Sequence, residues 1–116
     1  DKMIPITANE KKKILYFFAP WCQICHASIS NLENIYLKRG DIDVVAIALD
    51  FDNVEEVQQF VEDKALTFPV ALGNMEIKTT FQITGYPSYY VLDENNAVIA
   101  QSLGYSTELG LYLRTL

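Results

Sequence analysis

Residues Ile14 to Cys25 read Ile-Leu-Tyr-Phe-Phe-Ala-Pro-Trp-Cys-Gln-Ile-Cys, and this stretch decides the fold. Ile14 to Ala19 is a short continuous apolar run, the pattern of a strand buried on both faces. Pro20 and Trp21 break it. A helical stretch follows, with Ile29, Leu32, Ile35 and Tyr36 at helical spacing. It ends in Lys38, Arg39 and Gly40, where basic residues and a glycine suit a helix C-terminus. The chain's two cysteines, Cys22 and Cys25, thus fall at a strand-to-helix junction.

Outward from this junction the pattern alternates. Val44 to Leu49 predicts a second buried strand. Asp50, Asp52 and Asn53 supply turn and N-cap chemistry, and Asn53 with Glu56 has the spacing of a capping box. Val54, Val57, Phe60 and Val61 make the apolar face of a second helix, opposite a face of Glu and Gln. Phe68 to Leu72 predicts a third, short strand, and Asn74 caps a short helix carrying Ile77 and Phe81. Gly85-Tyr86-Pro87 punctuates the chain. Ser88 to Leu92 and Ala97 to Leu103 form a hairpin around Asp93 to Asn96. Tyr89 and Tyr90 point to opposite faces of its first strand, so at least one is core. A last helix after Ser106 buries Leu109, Tyr112, Leu113 and Leu116. Residues 1 to 12, with Pro5, read as a loose or edge segment. The order predicts an α/β chain whose mostly parallel sheet is covered by helices on both faces, with an antiparallel edge.

Composition bounds the function. The 116 residues suffice for one domain, 1–116, and the net charge is -6. An acidic domain lacks the electrostatic footprint for a nucleic-acid backbone. No apolar run approaches the roughly 20 residues of a membrane helix, and the N-terminus carries no stretch like a signal peptide. Residues 41 to 63 hold eight acidic residues and no basic one, but no glycine turn of a calcium loop, so they read as a solvated helix face.

The spacing of the cysteines carries the chemistry. A thiolate is the nucleophile in disulfide exchange, and unpaired N–H groups at a helix N-terminus stabilise an anion there. Cys22 is therefore expected as the exposed attacking sulfur and Cys25 as the buried resolving one. Other readings of the pair are a structural bridge, half of a zinc site and a c-type haem attachment, since Cys22-Gln23-Ile24-Cys25-His26 also fits C-x-x-C-H. A bridge across two residues constrains little of the unfolded chain. A zinc site wants four ligands, and a haem would displace the core that the sheet needs. The redox dithiol is the reading adopted, with no metal or cofactor.

Phe17-Phe18-Ala19-Pro20-Trp21-Cys22-Gln23-Ile24-Cys25 resembles the active-site stretch of thioredoxin-like proteins, and Pro87 after Gly85-Tyr86 resembles their cis-proline. Residues 50 to 72 are similar to the helix–strand insertion of the TlpA-type branch. Leu103 to Leu109 and Leu113-Arg114 are similar to the tail of its copper-sensitivity-suppressor D group. The resemblance implies a thioredoxin-like fold and a thiol–disulfide oxidoreductase acting on protein substrates. The reductase direction is favoured, in cytochrome c maturation or in copper or oxidative stress. Oxidant or isomerase action, copper binding and haem carriage are the alternatives. It further implies a monomer outside the cytoplasm (periplasmic in a two-membrane cell), tethered by an upstream segment and reduced by a membrane electron-donor thiol reductase. Pro87 would shape the substrate groove, with Trp21, Gln23, Ile24 and Tyr86 around it.

The chain departs from the family where the resolving cysteine finds its proton acceptor. Tyr16 stands where many thioredoxins have a buried acid, and Ser28 where several TlpA-type proteins have Glu. Tyr16, Ser28 and His26 are thus the candidates for tuning the thiols. His26 reads otherwise as a solvated residue of the first helical turn.

Overall fold

The computed structural model describes residues 11–38 and 40–104. Residues 1–10 and the helix expected after Ser106 lie outside them. In chain order the elements are β1 (Lys12–Phe18), α1 (Gln23–Lys38), β2 (Ile42–Ala48), α2 (Val54–Lys64), β3 (Val70–Leu72), α3 (Met75–Thr80), β4 (Ser88–Leu92) and β5 (Val98–Leu103).

The apolar run of β1 becomes the middle of a five-stranded sheet of order β3-β2-β1-β4-β5. β1, β2 and β3 pair in parallel, whereas β4 is antiparallel to both β1 and β5. Four strands therefore run one way and β4 runs against them. A central strand needs apolar side chains on both faces, and β1 supplies them by alternation. Ile14, Tyr16 and Phe18 face one core with Ile29 and Leu32 of α1 and Val57 and Phe60 of α2. Leu15 and Phe17 face the other with Val45, Ile47 and Leu49, against Ile77 of α3 and Phe81.

The local signals account for the element ends. Asn53 and Glu56 close the capping box: the Glu56 N–H donates to Asn53 Oδ1 at 3.0 Å, and the Asn53 N–H to Glu56 Oε1 at 3.2 Å. Of the expected apolar face of α2, only Val57 and Phe60 are buried; Val54 is exposed. Asn74 caps α3 through the Ile77 N–H at 2.9 Å. β3 is shorter than the predicted Phe68–Leu72. Pro69 has no N–H for a ladder, although its carbonyl accepts from the Ala46 N–H at 3.0 Å, and Phe68 turns into the core. β2 begins two residues earlier than expected, because Ile42 is buried opposite Lys12.

Candidate active site

β1 ends at Phe18, and the chain turns through Ala19, Pro20 and Trp21 before α1 opens at Gln23. The Cys22 N–H closes that turn on the Ala19 carbonyl at 3.0 Å. Cys22 therefore precedes the first helical residue, where the backbone N–H groups of the first turn lack helical partners. One of them, the N–H of Cys25, donates to Cys22 Sγ at 3.2 Å. This bond favours negative charge on the sulfur, in the way a helix N-terminus holds an anion. The cysteines are unbridged. Cys25 is fully buried, and Cys22 is only 8% exposed. The expected contrast of one open and one hidden sulfur thus narrows to a thin window on Cys22, since both side chains belong to the core above β1.

Behind the pair stands Tyr16. Its hydroxyl donates to the Cys25 carbonyl at 3.3 Å and lies 3.0 Å from Ser28 Oγ. Burial, with the Cys25 charge second, holds the Tyr16 phenol above its ordinary value, so it remains a donor at neutral pH. Burial first, then the hydrogen bond with Cys22, pushes the Cys25 thiol up to about 12. The Tyr16 hydroxyl acts against that rise. Tyr16 and Ser28 therefore place hydroxyl groups beside Cys25.

Antiparallel pairing of Phe17 with Ser88 brings the start of β4 to the same end of the sheet. The peptide bond just before it, Tyr86–Pro87, is cis. Tyr86 packs on the core that contains both cysteines, and its ring meets Trp21 edge to face, with centroids 5.8 Å apart. Trp21 and Ile24 are 58% and 50% exposed, and Gln23 is exposed beside them. The junction thus presents an apolar surface around the Cys22 window.

His26 departs from its solvated reading. Its ring lies edge-on to Phe60 of α2 at 4.6 Å, and Nε2 is 2.7 Å from the Pro20 carbonyl. It braces the turn that carries Trp21. Among the described residues no three His, Cys, Asp or Glu side chains converge as a metal set.

The sequence pattern gives Asp50 only turn chemistry and Lys78 no role. Both belong to the site. Asp50 Oδ2 accepts from the Tyr86 hydroxyl and from the Lys78 ammonium, each at 2.6 Å. The Asp50 carbonyl accepts from Trp21 Nε1–H at 2.8 Å. No local pattern signals this cluster, since the partners of Asp50 lie 28 to 36 residues from it. The pairing of Leu49 N–H with the Phe18 carbonyl at 2.8 Å is what sets Asp50 beside the junction.

The chain is similar to known proteins in sequence and in fold. The chain is 28% identical over 95 residues to the thioredoxin-like protein YneN of Bacillus subtilis, covering 78% of this chain and 55% of that one. It is 30% identical over 100 residues to the thiol-disulfide oxidoreductase ResA of Bacillus anthracis, covering 84% and 58%. The chain thus spans little more than half the length of these curated relatives. Among solved structures, StoA from Bacillus subtilis superposes with a TM-score of 0.87 at 24% identity, over 97% of this chain and 88% of that one. A secreted Mycobacterium tuberculosis disulfide oxidoreductase homologous to E. coli DsbE gives 0.82 at 20%, over 92% and 81%. These likenesses establish the thioredoxin-like fold. The profile of the AhpC/TSA family matches residues 5–101, and this thioredoxin-like chain of the TlpA-type branch belongs to that family.

Proposed function

We propose that the chain is a thiol–disulfide oxidoreductase that reduces disulfides in protein substrates. The observation that carries this reading is Cys22 at the N-terminus of α1, its sulfur accepting the Cys25 N–H, with the Cys25 thiol buried behind it. The Cys22 thiolate attacks one sulfur of a substrate disulfide. The substrate S–S bond breaks, a Cys22–substrate disulfide forms, and the other substrate sulfur leaves as a thiolate that takes up a proton. Cys25 loses its proton and attacks Cys22 Sγ. The second substrate sulfur leaves as a thiol, and two electrons have passed from the dithiol to the substrate.

The second step is the demanding one, because burial holds the Cys25 proton on. The Tyr16 hydroxyl assists by donating to the sulfur as charge develops, and water takes the proton. The direction of electron flow is set by the potential of the pair against that of its compartment. Pro87 shapes the substrate groove, with Trp21, Gln23, Ile24 and Tyr86 as its surface. The 1–116 chain is read as one domain, with residues 50–72 as a TlpA-type insertion. It works as a monomer outside the cytoplasm, anchored by a segment upstream of Asp1 and reduced by a membrane thiol donor. The secreted disulfide oxidoreductase of Mycobacterium tuberculosis, which shares the fold, supports that compartment. Among the described residues no helix is long and apolar enough to cross a membrane.

Insulin reduction tests the reading. Cys22→Ser is expected to lose at least about a thousandfold in rate, the scale of losing a nucleophile. Cys25→Ser is expected to stall as a mixed disulfide through Cys22, visible by mass spectrometry. A Cys22→Ser protein that reduces insulin at the wild-type rate refutes it. Titration of the pair against dithiothreitol and glutathione then fixes the direction of electron flow, with a low potential expected.

A further inference from the structure

Asp50 follows β2 with its backbone in the left-handed region, φ 51°. An acidic side chain adopts that conformation more readily than most residues. The turn points its two oxygen-bearing groups at two different rings. The main-chain carbonyl holds the Trp21 indole N–H at 2.8 Å, and the carboxylate holds the Tyr86 hydroxyl at 2.6 Å. Lys78 of α3 supplies the counter-charge on the same oxygen at 2.6 Å, and its ammonium lies 5.9 Å from the centre of the Tyr86 ring. The Lys78 hydrogen bond, with that of Tyr86 second, keeps the Asp50 carboxyl below its ordinary value, so the acceptor is charged at any working pH.

Among the described residues these are the hydrogen bonds that anchor the two rings. Trp21 is more than half exposed, and an exposed indole samples several rotamers unless a polar partner selects one. Here the two rings lock each other as well, edge to face at 88°. Trp21 adjoins Cys22, and Tyr86 adjoins Pro87. The spacing of the rings is therefore the spacing between the reacting sulfur and the strand-like surface beside it.

We propose that Asp50 is a positioning residue for the polypeptide substrate: its carbonyl sets Trp21 and its carboxylate sets Tyr86, so one residue fixes both aromatic walls beside Cys22. The proposal rests on the oxidoreductase reading. Asp50 touches neither the sulfurs nor the disulfide. It makes the groove before the substrate arrives, and a groove already formed costs the substrate less ordering on binding. The chemistry on Cys22 and Cys25 does not pass through it.

The test is steady-state reduction of a disulfide-containing peptide by the wild type, Asp50→Asn, Tyr86→Phe and the double variant. Asn tolerates the left-handed backbone, so the change removes charge without adding strain. Trp21 is the single tryptophan, so fluorescence anisotropy reports this ring alone. Each single variant is expected to raise KM about three- to tenfold, as the loss of a hydrogen bond to a charged group allows, with kcat within about twofold. Trp21 anisotropy falls in Asp50→Asn, because the Tyr86 ring that packs on the indole is released. The double variant is no worse than the poorer single, because both break one link. Unchanged KM in the singles, additive singles, or a fall in kcat tracking the melting temperature with KM unmoved each overturns the proposal. A wild type that does not reduce the peptide at all fails the oxidoreductase reading itself, before any variant is compared.

Discussion

Glu33 and Asp50 are both carboxylates that receive hydrogen bonds from distant segments, yet they hold opposite kinds of region. Glu33 sits on α1, only 9% exposed, and spends both oxygens on one residue. Oε1 accepts from the Thr67 N–H at 3.0 Å and Oε2 from the Thr67 hydroxyl at 2.5 Å. It fastens the loop between α2 and β3 to α1 and touches nothing that reacts. Asp50 has a side chain about a third exposed, with partners on three separate segments around the cysteines. Removing a buried carboxylate loses two charge-assisted hydrogen bonds and the packing of its stem, whereas an exposed one is replaced by water. The difference teaches that the first tie contributes stability and the second contributes shape.

The largest way to break this contrast is at Glu33. Glu33→Ala is expected to cost about 2 kcal/mol in urea unfolding, because Thr67 loses both partners at once. Turnover of a disulfide peptide by the folded variant is expected to stay within about twofold. A loss below about 0.5 kcal/mol, the level of an ordinary surface change, would place Glu33 with Asp50 instead.

Between the two ties lies Cys25, and alkaline pH reads it. Its pKa rises on folding to about 12, so the folded state binds the thiol proton more tightly than the unfolded chain. The contribution is complete below the ordinary thiol range and is lost as pH rises toward 12. The reduced protein is expected to lose about 1 kcal/mol between pH 8 and 10 from this group, by proton linkage. Tyr16, whose pKa is also raised, pulls in the same direction, so the diagnostic is a difference. Cys25→Ala should flatten the slope in urea unfolding under excess reductant, and an unchanged slope would remove Cys25 as its source.

The capping box belongs to the same structural half as Glu33. Asn53→Ala is expected to cost about 1 kcal/mol, the usual scale of an N-cap, without moving KM. Chemical denaturation with parallel kinetics checks both clauses.

This division also marks what is legible in the sequence. The strand–junction–helix of Ile14 to Cys25, the capping box at Asn53 and the hairpin after Pro87 are readable because each is written in adjacent residues. Alternation alone sends Tyr89 and Tyr90 to opposite faces, and the two join opposite cores, Tyr89 fully and Tyr90 in part. Asp50 is not readable. Its turn chemistry is local, but its partners become neighbours only when β2 pairs with β1 and β4 returns on the other side. His26 escapes for a similar reason: its spacing puts it on the first turn of α1, and only the docking of α2 covers it with Phe60. The exposure expected for Cys22 fails because an anion site at a helix N-terminus says nothing about what the surrounding core covers.

The smallest effect is the sharpest on the comparison. If Asp50 contributes shape rather than stability, Asp50→Asn should change the unfolding free energy by no more than about 0.5 kcal/mol. The reasons are physical. Its ion pair with Lys78 is partly solvated, with side chains 32% and 28% exposed, so water and salt already screen it. Asn adopts the left-handed backbone at little cost, so the turn after β2 is kept. The carbonyl that holds Trp21 is main chain and survives the change. What is lost is the charge that makes the carboxylate the preferred partner of both Lys78 and Tyr86, and with it the fixed angle of the Tyr86 ring. Stability measured by urea unfolding should therefore stay level while KM for a disulfide peptide rises. A drop near that of Glu33→Ala would mean that both carboxylates are structural ties of the same kind, and that the rings beside Cys22 are held by the fold as a whole.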